Sequence, residues 1–223
     1  MALAVGLLLA ASCRPLGRPP EVPPGWAALE WRGASYVALY RLRCCGQREL
    51  LATVRAGTGG FGLTVVAPPG VTVVDGWLDD SGSWLAAEGG RCRQRLPGGS
   101  LPLPEAASLP VGGQVVAALL AGRIPPGGAP DADGWVAGGD GGWRWRARVV
   151  GAPPRCVAMR VFAARGDEPA MEAVLRGHRG GLPHALVVTV GPTRIVAELR
   201  EWRSVAQVAP PPWFAAPPCG GEG

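Results

Sequence analysis

Residues 142–150 read GWRWRARVV. Trp143, Trp145, Ala147 and Val149 alternate with Arg144, Arg146 and Arg148. That is the period of two expected of a strand with one face in apolar surroundings and the other in water. The same alternation recurs on both sides. Downstream, 156–163 places Val157, Met159 and Val161 opposite Arg160, and 171–176 places Met171, Ala173 and Leu175 opposite Glu172 and Arg176. The runs 185–190 and 194–202 follow, joined by the turn GPT. Upstream, strands are predicted over 36–44, 49–56, 61–67, 71–78, 83–87 and 91–96, separated by turns rich in Gly and Pro. The Pro68-Pro69-Gly70 turn marks a hairpin tip. Between these blocks, SLPVGGQVVAALLAGRIP (108–125) has helical spacing at Val111, Val115, Ala118, Leu119 and Gly122, and its paired glycines delay a regular helix to Gln114. PPGGAPDADG after it is predicted as loop.

About ten or eleven strands joined by short connections imply a mainly β, mostly antiparallel sheet with one wet and one apolar face. The missing strand–helix alternation excludes a doubly wound α/β fold. The apolar face needs a cover, and the short helix is its candidate.

Composition bounds the function. Of 223 residues, 48% are apolar and 17% charged, so a core is affordable and disorder is excluded. With 35 Gly and 24 Pro the chain is turn-rich, and without a three-residue period it is not collagen. All 22 basic residues are arginine, scattered without a cluster, so the net charge of +5 gives no nucleic-acid-binding stripe.

Residues 1–12, MALAVGLLLAAS, are uncharged and too short to span a bilayer of about 30 Å. They match a signal-peptide core in length. The run ends in LAASC and so resembles the bacterial lipobox, which implies cleavage before Cys13 and lipidation of its sulfur. Acyl chains add about 0.8 kcal/mol per buried methylene and hold a protein on a membrane surface. Arg14 in place of an aspartate implies, by resemblance to enteric lipoproteins, delivery to the outer membrane. Residues 13–25 read as a Pro-rich tether and 26–203 as the folded domain. Residues 204–223 read as a flexible Pro/Gly-rich tail. With Cys13 lipidated, Cys44, Cys45, Cys92, Cys156 and Cys219 remain, an odd number whose pairing stays open.

No catalytic constellation emerges. His178 and His184 flank a turn, Ser81 and Ser83 lie in a hairpin turn without a G-x-S-x-G frame, and GTGGFG and GGDGGW precede no helix. Asp75, Asp79 and Asp80 read as a solvated turn rather than a carboxylate site. No enzyme activity, metal or cofactor is expected. The nine tryptophans are the informative excess: most pack as core, and Trp77, Trp84, Trp135, Trp143 and Trp145 would suit either plain core or a sheet face that meets acyl chains or sugars.

Three landmarks in order resemble the LolB family of outer-membrane lipoprotein receptors, whose fold is shared with the carrier LolA. They are the lipobox-like LAASC, then FGLTVVAPPG followed by DGW and SGSWLA, then SLPVGGQVVAALLAGRIP with the closing GLPHALVVTVGPTRIVAELREW. The resemblance implies a half-open barrel of about eleven antiparallel strands covered by short helices. It implies a monomeric, periplasm-facing, outer-membrane-anchored protein. Its cavity would take acyl chains of cargo lipoproteins or other lipids from a LolA-like periplasmic carrier and help insert them into the membrane. Inward strand parity gives the expected cavity lining as Tyr40, Leu42, Val54, Leu63, Val65, Trp143, Trp145, Val157, Met159, Val161, Leu186, Val188, Ile195 and Leu199, with Val115, Leu119 and Leu120 as the cover. The membrane-facing loop would be Pro68, Pro69 and Gly70, with Pro69 where family receptors carry an exposed leucine. The competing expectation is a structural envelope lipoprotein of the same fold with a filled core.

Overall fold

A computed structural model describes residues 21–44, 48–96, 101–103, 106–109, 112–140, 142–179 and 181–220. The first six strands are β1 (Tyr36–Cys44), β2 (Arg48–Gly57), β3 (Gly60–Ala67), β4 (Val71–Asp79), β5 (Gly82–Ala87) and β6 (Cys92–Leu96). Two short strands, β7 (Leu101–Leu103) and β8 (Ala106–Leu109), lead into helix α1 (Gly113–Leu120). Then come β9 (Ala129–Pro130), β10 (Val136–Asp140), β11 (Trp143–Val150), β12 (Arg155–Ala163), β13 (Pro169–Arg176), β14 (Ala185–Val190) and β15 (Thr193–Ser204).

Thirteen strands form one antiparallel sheet in the order β6-β5-β4-β3-β2-β1-β15-β14-β13-β12-β11-β10-β9. Nearly every neighbour is the next strand in sequence, as short Gly/Pro turns require. The exception is β1 with β15, which joins the two meanders at the centre. The outer strands β6 and β9 do not pair with each other, so the sheet curls into a trough and leaves a half-open barrel. β7 and β8 pair separately. No described helix is long and apolar enough to cross a membrane. The lipidation candidate Cys13, the signal segment and most of the tether lie outside the described residues.

The alternation in the opening stretch holds along most of the strand: Trp145, Ala147 and Val149 are buried and Arg144 and Arg148 exposed, with Trp143 and Arg146 half-buried. The concave face is continued by Tyr36, Ala38, Tyr40 and Leu42 on β1, Ala52 and Val54 on β2, and Phe61, Leu63 and Val65 on β3. On the convex face, ion pairs cross adjacent strands, as between Arg41 and Glu198 or between Arg160 and Glu172.

The strand prediction fell short at 129–140, where β9 lies within the expected loop and β10 follows in a stretch with no expected strand. β10 reads VAGGD, too glycine-rich to signal a strand. The reason is tertiary: a Cβ on Gly138 would lie 2.5 Å from the Trp145 indole, so the neighbouring ring requires glycine there. β7 and β8 were likewise absent from the sequence reading.

The C-terminal segment differs most from expectation. Instead of a flexible tail, residues 213–219 pack on the convex side of β4–β6. Cys219 is disulfide-bonded to Cys92, 127 residues away. Cys219 N–H donates to the Arg93 carbonyl and Arg93 N–H to the Pro217 carbonyl, so the segment covers part of the β6 edge. Trp213 Nε1–H donates to Asp75 at 2.8 Å. The Arg93 guanidinium sits 4.6 Å from the Trp84 ring centre and 5.0 Å from that of Phe214. Under this strap Trp77 is wholly buried. The expected single tryptophan face is therefore divided. Trp77 and Trp84 serve the strap, Trp135 lies beside Arg146 and Arg160, and Trp143 and Trp145 stay on the concave side.

Candidate functional site

α1 lies across the trough and is its cover. Five consecutive residues, Val115 to Leu119, are buried, because the helix packs both onto the sheet and against the segments beside it. Gly113 lets its first turn approach the sheet: a Cβ there would be 2.9 Å from Cβ of Phe61. Gly122, at φ +67°, ends the helix in the left-handed region, and a side chain there would meet Pro183.

Two tyrosines on the trough floor hold the cover down. Tyr36 Oη donates to the Ala117 carbonyl at 2.9 Å, and Tyr40 Oη donates to the Leu120 carbonyl at 3.1 Å. The second bond satisfies one of the carbonyls that every helix leaves open in its last turn. Burial raises the pKa of both phenols above the ordinary value, so they remain donors at any physiological pH. Trp31 Nε1–H donates to Gln114 Oε1 at 3.1 Å and ties the first turn as well.

Between α1 and the sheet is an apolar slot of about 80 Å³, open on one side. Its walls include Tyr40, Leu42, Val54 and Leu63 from the first meander and Met171, Val188 and Ile195 from the second, with Leu119 and Leu120 above. Its one polar side-chain group, the Tyr40 hydroxyl, is already hydrogen-bonded. A void of this lining stays dry. It is smaller than the roughly 300–1,000 Å³ of a pocket that encloses a small-molecule ligand.

Six of the residues expected from parity, Tyr40, Leu42, Val54, Leu63, Val188 and Ile195, line this slot, with Leu119 and Leu120 of the expected cover. The others do not. Val65, Val115 and Leu186 are buried core beside it. Trp145, Met159 and Val161 are buried on β11 and β12, with Trp143 half-buried next to them. Leu199 is half-buried on β15. That end of the trough is filled by the chain itself: Leu29, from a short 3₁₀ turn at Trp26–Leu29, and Ile124, bridged to Glu30, belong to the same core. Val157 was misplaced by parity. Arg148 pairs with Ala158 and Val149 with Cys156, so Val157 is a bulged residue and Cys156 takes the inward position. Burial pushes the Cys156 thiol up to about 12.

Phe61, Met171, Ala52, Ala197 and Val116 also line the slot but were not among the expected residues. The alternation of Met171 with Glu172 was a sufficient signal for one of them. Phe61 opens a hairpin strand between glycines, where periodicity is weakest.

At the sheet tip, Pro68, Pro69 and Gly70 are exposed. Val71 and Val73 beside them are 60% and 45% exposed, and Leu51 is 46% exposed. The tip is thus an apolar projection despite having no leucine at position 69.

No family model and no curated protein matches the chain. Among solved structures, it is similar to an outer membrane lipoprotein-sorting protein domain from Vibrio parahaemolyticus. The TM-score is 0.54 at 11% identity, over 82% of this chain and 91% of that one. A β-barrel-like protein of the domain of unknown function DUF1849 from Brucella abortus superimposes with a TM-score of 0.32 at 10% identity, over 78% and 99% of the two chains. The first likeness shows the fold: a LolA/LolB-like half-open barrel with a helical cover.

Proposed function

We propose that this chain is a membrane-anchored envelope lipoprotein that takes a lipid acyl chain into the seam between α1 and the sheet. In this reading it acts at the outer membrane, anchored through Cys13, receives its cargo from a LolA-like carrier, and helps insert the chain into the bilayer. The observation that carries the reading is the dry apolar slot beneath a cover of only two turns. That cover is held to the floor by two tyrosine hydroxyls and flanked by Gly112, Gly113 and Gly122. The 80 Å³ slot is then the closed, unloaded state, and loading lifts α1. Each methylene transferred from water to the seam contributes about 0.8 kcal/mol, enough over a long chain to offset two hydrogen bonds. The exposed Val71, Val73 and Leu51 suit contact with a lipid surface. The Cys92–Cys219 disulfide fits an exported protein. No covalent chemistry is needed.

The slot's small volume favours one competing reading, a structural lipoprotein of the same fold with a filled core. Ala52→Leu separates the two, because it adds three carbons to the slot wall. Under the lipid-binding reading, protein purified from membranes carries acyl species in native mass spectra and exchanges a fluorescent fatty acid, and Ala52→Leu loses both. No bound lipid and no exchange in the unmodified protein would leave the filled-core reading standing.

A further inference from the structure

At the N-terminal end of α1 a second cavity of about 520 Å³ opens beside the slot. Phe61 lines both, so one residue is common to a dry apolar slot and a larger, partly polar vestibule. The vestibule is formed by the β2–β3 turn (Thr58, Gly59), the β4–β5 turn (Asp79 to Gly82) and the first turn of α1.

One group there is left without a partner. Ser83 is 1% exposed and its hydroxyl has no hydrogen bond among the described residues. Ser83 pairs in register with Leu78, and Leu78 with Phe61, so the three side chains stand on the same face of the sheet, and all three line the vestibule. An orphaned buried hydroxyl costs about 1–3 kcal/mol and marks a place where a ligand's polar group would be rewarded. The start of α1 adds donors, since Gly112 provides no side-chain cap for the first-turn N–H groups. Gln114 also lines the vestibule, with its carboxamide oxygen engaged by Trp31.

The charges select the ligand. Asp79 and Asp80 are the charged lining residues described, with no basic side chain among them, so a phosphate or carboxylate head is disfavoured. A cationic head is disfavoured by the uncapped helix start, and Asp79 is already occupied by Trp77 Nε1–H, Ser81 N–H and the Ser81 hydroxyl. What remains is a group that both donates and accepts without charge.

We infer that the vestibule binds the uncharged, hydroxyl-rich head of a single-chain amphiphile, a glyceryl or glycosyl group, while its hydrocarbon chain passes Phe61 into the slot. This rests on the acyl-binding reading above and adds the class of head group. The vestibule's volume lies within the range of ligand pockets, whereas the slot alone does not.

The test compares a monoacylglycerol with the free fatty acid of the same chain length, each displacing a fluorescent probe from the full chain. The monoacylglycerol is expected to bind about tenfold tighter, as two or so added hydrogen bonds would give. Ser83→Ala is expected to shrink that ratio to about twofold while the fatty acid affinity stays unchanged. The variant removes an unsatisfied hydroxyl, so its melting temperature is expected to hold or rise, which keeps the comparison free of misfolding. Equal affinities, or a ratio untouched by Ser83→Ala, would overturn the head-group assignment and leave acyl binding intact. Binding of neither lipid would overturn both. A glycosyl-headed single-chain lipid run in parallel distinguishes a sugar from a glyceryl source.

Discussion

The two ends of the trough are built from the same strand pattern and finished differently. Under α1, the floor of β1–β3 and β13–β15 keeps a dry slot, and its walls include the small residues Ala52 and Ala197. Toward β10–β12 the floor is equally apolar but is plugged by Trp145, Ile124 and Leu29, with Gly138 cleared to admit the indole. Inward alternation therefore establishes that a concave face is apolar, not that it is empty. Emptiness depends on what the rest of the chain lays into it.

The largest effect should come from the plugged end. Trp145→Ala is expected to cost about 3–5 kcal/mol in urea denaturation, whereas Ile195→Val at the slot should cost about 0.5–1.5 kcal/mol. Equal values would erase the distinction after allowance for side-chain size. Enlargement gives a sharper contrast of opposite sign. Ala147→Leu, in a packed position with no exposure, is expected to destabilise by about 1–3 kcal/mol. Ala52→Leu should leave the melting temperature unchanged or raise it, and a comparable loss at both sites would mean the slot is not a usable void.

The smallest effect concerns pH and belongs to the plugged end. His178 Nε2–H donates to the Cys156 carbonyl at 2.9 Å. Burial, with Arg155 adding repulsion, holds its pKa below the usual 6.5 despite that hydrogen bond. The unfolded chain therefore takes up a proton first as the solution is acidified. The imidazole's contribution is complete above the unfolded value and is lost as pH falls through the folded one. The fall in melting temperature from about pH 7 to about pH 5 should be smaller in His178→Gln than in the parent. An unchanged difference would show that the His178 ring does not contribute to it.

Much of the slot's lining is legible in the sequence. Tyr40, Leu42, Val54, Leu63, Val188 and Ile195 were placed by counting in twos, and Leu119 and Leu120 by the helical spacing after Gln114. The count failed where the backbone breaks its own period. At Val157 a bulge hands the inward position to Cys156. On β15 a second irregularity, opposite Leu39 and Tyr40, lets Leu199 and Trp202 share a side, and Trp202 stacks on Tyr36 at 4.0 Å between ring centres. Ser83 was read as part of a turn because a lone serine carries no periodic signal.

The sequence by itself determined most of the strands, the sidedness of the sheet and the two-turn helix, because these depend on spacings of two to four residues that each segment carries within itself. Tertiary structure alone decided which half of the trough is filled. It also decided that the Pro-rich C-terminus straps β4–β6 through Cys92–Cys219, and that Ser83, whose buried hydroxyl has no partner among the described residues, lies in the wall of the vestibule. Those outcomes join residues as many as 138 positions apart, and no local pattern encodes which distant side chain arrives to occupy a given space.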